Sequence, residues 1–380
     1  MNGSATPALP GAAIERHTGL AGLDALAPEW AALCAEAALP PLFGPVWIRA
    51  HVIAYERQQD LLLLAARGSA GLAAVLPLVR ARGRLRGLPT RFLRAAANQN
   101  TVRFDISLRP GAEGEAALQA LWRHVAARRD WDCLLLPQTP RGGAAEGWAA
   151  LAARAGYLTG RWNSKQVPII HLQSPAPGAP PAGMEQTSRD FRASLRWSRR
   201  RLEDMGPLTL ERELHPGAAG LEAFYALEAA GWKGHAADGN AVLRKGSAAR
   251  RFFAELAAAG GAAGQFALHR LRLDGRDVAM SLGLFHEHAY YLIKTTYDEH
   301  YSRYSPGHLL TEGLVQECAA AGRSRFDFCG EAYAYEGRWT RERLPHAFLY
   351  IFPPTLRGRL LYTLKCGAAE RLLRRLRPAG

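Results

Sequence analysis

Residues Tyr290–Leu310 (YYLIKTTYDEHYSRYSPGHLL) hold most of the side chains with chemistry to offer. The spacing predicts a strand ending near Tyr297, a polar and aromatic loop, and then a helix. Ser305 is the expected N-cap, with Pro306 at the first helical position and Gly307 just inside it. Proline costs nothing there, because first-turn N–H groups have no helical acceptor. Glycine lets another group approach the backbone closely. Such a helix start, with free N–H groups and the positive end of the dipole, can hold an anion. It is also an ordinary way to begin a helix. Lys294 lies inside the strand, between Ile293 and Thr295, so its face is either solvated or meets a carboxylate. Tyr297, Asp298 and Glu299 follow. Asp298 or Glu299 could serve an amine or hydroxyl as general base, or pair with Lys294 structurally.

Three further places carry chemistry. Trp232-Lys233-Gly234-His235 follows a helical stretch, and Lys233 can meet a phosphate or a polar acceptor, or be a solvated turn lysine. Asp327 ends a strand at Asp327-Phe328-Cys329-Gly330, as an acid or a turn cap; Tyr333, Tyr335 and Trp339 come next. Cys329 has no His or Asp at a spacing that would make it a nucleophile and is expected in the core. The chain lacks a phosphate-binding GxxxxGK[ST] loop, a GxSxG elbow, an HExxH helix and a GxGxxG fingerprint. Their usual chemistries therefore lose support.

The elements that must position these residues recur. In the first part, Leu61–Ala66 and Leu72–Arg80 read as strands around a turn, followed by a helix Gly114–Arg128 and a strand Trp131–Pro137. In the second, Gln265–Leu273 and Arg276–Phe285 flank an Asp274-Gly275 hairpin turn. A strand Ala289–Thr296, a helix from Pro306 to Gly322 and a strand Arg325–Cys329 follow. Hairpin, helix, strand occurs twice, which predicts a tandem α/β unit, though no identity between the halves is evident. The expected division is 1–172, a Pro/Ala/Gly linker at 173–187, a second domain at 188–355 and a terminal helix at 356–380. The second domain opens with helices at Ser188–Glu203, Gly220–Ala230 and Ser247–Ala259. The tail Leu356–Arg377 sets Leu356, Leu360, Leu364, Ala368, Leu372 and Leu376 at spacings of four among arginines, a basic amphipathic helix. It can pack on its domain or lie on a membrane surface.

Composition bounds the rest. The chain has 380 residues, 48 Lys+Arg against 34 Asp+Glu and a net charge of +14. Only five of its bases are lysines. With 48% hydrophobic residues, wholesale disorder is excluded. Five scattered cysteines build no disulfide framework, and no Cys/His spacing suits zinc. No apolar run reaches the ~18 residues of a spanning helix, and no signal peptide is expected. A cytoplasmic protein, peripheral at most, is the expectation. The positive charge favours anionic partners such as cofactors, nucleic acid or lipid headgroups.

An ordered series of motifs carries a resemblance. Phe224-Tyr225-x-Leu227-Glu228 and Gly231-Trp232-Lys233-Gly234 come first, then Arg250-Arg251-Phe252-Phe253-x-x-Leu256 and Asp274-Gly275-Arg276-x-Val278-Ala279. Lys294-x-x-Tyr297-Asp298-Glu299, Ser305-Pro306-Gly307-x-Leu309-Leu310 and Phe326-Asp327-Phe328-x-Gly330 complete it. Over Ser188–Trp339 the chain resembles the CelD-like (cellulose-biosynthesis-type) acetyltransferases of the GNAT superfamily. The resemblance implies an α/β fold of two tandem GNAT-like domains, each a mixed, largely antiparallel sheet flanked by helices. It implies an acyl-CoA-dependent N- or O-acyltransferase, with acetyl-CoA or another acyl-CoA as co-substrate and no metal. The acceptor would be a small molecule or glycan precursor in polysaccharide or cell-envelope biosynthesis. Arg303, Ser305, Gly307 and His308 would meet the donor; Asp298, Glu299, Glu228 and Lys294 would serve catalysis. Trp232, Lys233, Tyr297, Asp327 and Tyr335 would meet the acceptor. The classical Gln/Arg-x-x-Gly-x-Gly/Ala loop is kept only as Arg303 and Gly307. Near Tyr335, where the family often has Tyr-Lys, this chain has Glu336. Fem-type aminoacyl transferases share the paired plan and imply an alternative in which the donor is aminoacyl-tRNA. A catalytically silent scaffold at the membrane surface is the third reading.

Overall fold

A computed structural model describes residues 12–172, 183–231, 246–260, 265–331 and 334–367. Two compact units appear: residues 1–164 with 346–380, and residues 165–345. The chain crosses between them at Ser164–Lys165 and returns at Pro345–His346. The units therefore do not follow a cut at residues 173–187. A proline-rich stretch marks where the chain cannot form a regular element, not which sheet its neighbours join. Within the expected linker, residues 173–182 lie outside the described residues.

The first unit contains β1 (Ala13–Thr18), α1 (Gly19–Glu36), α2 (Pro45–Tyr55), β2 (Leu61–Gly68), β3 (Gly71–Leu85) and β4 (Leu88–Ala95). Next come β5 (Ser107–Leu108), α3 (Ala112–Ala126), β6 (Cys133–Pro140) and α4 (Ala144–Arg154). The chain passes onward through β7 (Leu158–His171). Sheet neighbours β1, β2, β3 and β4 are antiparallel, β4 and β6 are parallel, and β13 (Arg343–Phe352) closes the row antiparallel to β6. The helix α3 makes the crossover that the parallel pair requires.

The second unit contains α5 (Arg189–Glu203), β8 (Leu208–Leu214), α6 (Ala218–Ala230), α7 (Ala248–Ala258), β9 (Gln265–Leu273), β10 (Arg276–His286) and β11 (Ala289–Tyr297). After a 3-10 turn at Glu299–Tyr304 come α8 (Pro306–Ala320), β12 (Arg325–Asp327) and α9 (Ala334–Gly337). Here β8, β9, β10 and β11 are antiparallel neighbours, β11 and β12 are parallel, and β12 pairs antiparallel with β7. The row repeats that of the first unit, with α8 as its crossover. The expected pair of mixed, largely antiparallel sheets flanked by helices is what the chain adopts. A final helix, α10 (Leu356–Cys366), belongs to the first unit.

Local chemistry explains the second unit. Asp274 and Gly275 have φ of 47° and 75°, as a two-residue primed turn demands. Ser188 caps α5 by accepting the Phe191 N–H at 3.1 Å, and Phe191, Leu195 and Leu202 turn inward. Ser247 caps α7 through the Arg250 N–H. The core joins Phe191 and Leu195 to Leu309, Leu310 and Leu314 of α8 and to Tyr290, Leu292 and Phe326 of the sheet.

Candidate active site

The parallel pair creates the site. β12 ends at Asp327, so its ladder with β11 covers only Ala289, Tyr290 and Tyr291. β11 runs on to Tyr297. A cavity of about 670 Å³ opens there, lined on one side by Leu292–Thr295 and Tyr297, and on the other by Phe328 and Gly330. Gly307, Tyr335 and Glu336 complete its wall. That volume is in the range of ordinary small-molecule sites.

Lys294 reaches the cavity wall with its Nζ 2.7 Å from Glu228 Oε1, and Glu228 is fully buried on α6. The sequence alternatives for Lys294 resolve as a carboxylate partner, but from α6 and not from Asp298 or Glu299. Tyr335 lies over the start of α8. Its hydroxyl donates to the Gly307 carbonyl at 2.8 Å and sits 2.7 Å from Thr311 Oγ1. Thr311 also donates to the Gly307 carbonyl at 3.0 Å. Burial pushes the Tyr335 phenol well up, so it stays protonated at neutral pH.

The helix start differs from expectation. Ser305 occupies the N-cap position, but at φ 49° and ψ 51°, and its side chain makes no cap bond. Its carbonyl accepts the N–H groups of both His308 (2.9 Å) and Leu309 (3.2 Å). Pro306 has no N–H, so Gly307 is the first-turn amide left beside the cavity. Arg303 is exposed, its guanidinium 4.8 Å from the Tyr304 ring centroid.

His308 is buried and is not part of the cavity lining. It stacks on Tyr335 at 4.1 Å, lies edge-on to Phe191, and its Nδ1 accepts the Trp339 indole N–H at 3.1 Å. Burial and then Arg338 push its pKa down to about 3. His269, buried on β9, falls to about 3 for the same first reason. Each imidazole binds its proton in the unfolded chain near pH 6.5 but not in the folded one. The stability these residues contribute is complete above that value and is lost as pH falls toward 3. The loss at pH 5 is ~2 kcal/mol per group. We expect urea midpoints to fall between pH 7.5 and pH 5, and His308→Gln to flatten that slope by up to one proton. A variant with the wild-type slope contradicts the assignment.

Asp298 and Glu299 lie at a different cavity, of about 690 Å³, with Ala223, Leu227 and Arg276. Asp298 caps the 3-10 turn through the His300 N–H (3.1 Å) and pairs with His300 Nδ1 and Arg276, both at 2.8 Å. Burial opposes ionisation, but the His300 bonds and Arg276 hold the carboxyl below its ordinary value. Asp327 is buried; it pairs with Arg325 and accepts the Cys329 N–H at 2.9 Å, holding a turn in which Cys329 has φ 57°. It is the cap, not part of the cavity lining. Trp232 and Lys233 lie outside the described residues. The structure thus gathers Lys294, Tyr297, Gly307 and Tyr335 around one cavity, with Glu228 paired to Lys294. Glu336 and Thr311 carry no sequence signal of their own; nothing in a Tyr-Glu step or a helical threonine distinguishes them before α8 and α9 meet.

Comparison with known proteins gives this geometry its context. Residues 189–337 match the family model for the acetyltransferase (GNAT) domain. Among solved structures the chain is similar to FemX, with a TM-score of 0.57 and 11% identity over 89% of this chain and 97% of that one. It is also similar to L-PGS from Bacillus licheniformis, with a TM-score of 0.52 and 14% identity over 90% and 96%. Both likenesses are of fold. No curated protein sequence matches the chain. The match to the acetyltransferase (GNAT) domain spans residues 189–337, about two fifths of the chain, and it supports an acyltransferase enzyme.

Proposed function

We propose that the chain transfers an acyl group from acyl-CoA to an amine or hydroxyl, in the cavity between β11 and the turn after β12. The observation that carries this reading is the cavity's composition. A long arm can lie along β11 while Gly307, having no side chain, leaves the helix start open. A Cβ at Gly307 would sit 3.6 Å from Tyr297 and 3.7 Å from Tyr335, so the space beside it is narrow but real. The apolar wall of Leu292, Ile293 and Phe328 suits a thioester arm. For the donor's diphosphate the fit is thinner: the Gly307 amide lies at the wall, and Arg303 precedes the helix.

Bound acyl-CoA supplies an activated acyl carbonyl. The chain's residues supply the rest. Lys294 brings a positive charge to the wall, where negative charge on a carbonyl oxygen is stabilised. Glu228 holds that ammonium in place. Glu336 is the carboxylate on the wall within reach of an acceptor proton. Asp298, already engaged by Arg276 and His300, is assigned to structure, and Glu299 goes with it. A hydroxyl or amine on a glycan precursor is the acceptor the resemblance suggests.

A second donor, aminoacyl-tRNA, is favoured by one observation. With the His308 N–H turned onto the Ser305 carbonyl and no N–H on Pro306, α8 offers a diphosphate fewer amides than an open helix start does. Thiol release from acetyl-CoA, followed colorimetrically over a panel of amines and amino sugars, separates the two. Thiol release that depends on an acceptor supports the CoA reading. Transfer from charged tRNA with no thiol release from acyl-CoA overturns it.

A further inference from the structure

α10 carries two apolar faces, and among the described residues one of them packs into the fold. Leu361 and Cys366 pack against Phe352, Tyr350 and Cys133 in a small core of the first unit. Leu356, Leu360 and Leu364, one turn apart, point the other way and are 89%, 52% and 38% exposed. Exposed leucines at i, i+4 and i+8 form a continuous strip, and a strip of this kind marks an interaction surface. The helix has no acidic residue, and Arg357 and Arg359 border the strip.

The neighbouring ribbon is charged alike. Its inner face, Leu85, Leu88 and Phe92, belongs to the core under α10. Its sequence from Arg80 to Arg91 holds five arginines and no acid. Arg82 stands opposite Arg91 across the strands, on the face away from Phe92, and both line a cavity with Glu56, Asp60 and Asp130, so carboxylates offset that pairing. Near α10 the compensating carboxylate is Asp132, shared by Arg91 at 2.8 Å and Arg357 at 3.3 Å. The basic charge beside the leucines is that of α10 itself, where Arg357 and Arg359 are exposed.

We propose that this face docks on an anionic lipid bilayer, with Leu356, Leu360 and Leu364 entering the headgroup boundary and the arginines meeting phosphates. An amphipathic helix with a basic border lies in an interface in this way. RNA would use the arginines but gives the leucines no apolar partner. None of the described helices is long and apolar enough to cross a membrane, so the attachment is lateral. The inference is independent of which acyl donor is used.

Flotation of the full chain with phosphatidylcholine vesicles, with or without about a third phosphatidylglycerol, tests it. The wild type should float with the anionic vesicles, and raising salt from about 0.1 M to about 0.5 M should weaken the binding. Leu356→Ser/Leu360→Ser/Leu364→Ser should lower the bound fraction at least ~10-fold, as should Arg359→Glu to a smaller degree. The replaced leucines are exposed, so the triple variant should keep the wild-type melting temperature. Absence of flotation by the wild type, or equal flotation by the triple variant, overturns the proposal. So does a wild-type dimer, measured by light scattering without lipid, that the triple variant dissolves: the strip would then meet a second copy.

Discussion

Gly307→Trp should lower kcat/KM for acyl transfer at least ~100-fold, with little loss of fold. The position tells why. Gly307 is buried at the first turn of α8, between Tyr297 and Tyr335, and it lines the 670 Å³ cavity. An indole there must occupy the cavity, since the other directions are packed. Gly307→Ala is the control. Its Cβ meets only ordinary contacts, at 3.6 Å and beyond, and alanine favours a helix over glycine by up to ~1 kcal/mol. The alanine variant should therefore be at least as stable as the wild type and retain most activity. Steady-state kinetics of the two variants, with melting temperatures alongside, check this. A tryptophan variant with wild-type kcat/KM would remove the cavity from the reaction.

Lys294→Met should cost ~3–5 kcal/mol of stability as well as activity. Glu228 is fully buried, and the Lys294 ammonium lies 2.7 Å from its Oε1. Removing the lysine leaves the carboxylate desolvated without that charge. The double variant Glu228→Met/Lys294→Met removes both charges and should recover most of the stability. It should not recover activity, because the positive charge at the wall is gone. Urea unfolding and kinetics on the same three proteins separate the pair's two roles. Loss of under ~1 kcal/mol in the single variant contradicts a buried, functional pair.

Much of the second unit was legible because its signals are local. The Asp274-Gly275 turn, the Ser188 and Ser247 caps and the inward Phe191, Leu195 and Leu202 each depend on near neighbours. The strands β7 and β13 were not legible. Leu158–His171 reads as polar along much of its length, and its β12 partner lies more than 150 residues away, at Arg325–Asp327. Arg343–Phe352 likewise finds β6 across some 200 residues. Without those partners in view, the Pro/Ala/Gly stretch looked like the natural boundary. The site was half legible. Lys294, Gly307 and Tyr335 come from motifs, but the carboxylate beside Lys294 comes from α6, and proximity in sequence pointed instead to Asp298 and Glu299. Ser305 shows the limit of cap rules. Composition predicts a side-chain cap, while the left-handed backbone before Pro306 uses the carbonyl instead.

We propose that the acyl donor occupies the space where β11 outruns β12. A crystal structure of the full chain with acetyl-CoA tests it most directly. The thioester should lie between Lys294 and Glu336, with the arm alongside Leu292–Tyr297. Acetyl-CoA held in the separate cavity beside Asp298 and Glu299, with the Gly307 cavity empty, would contradict it.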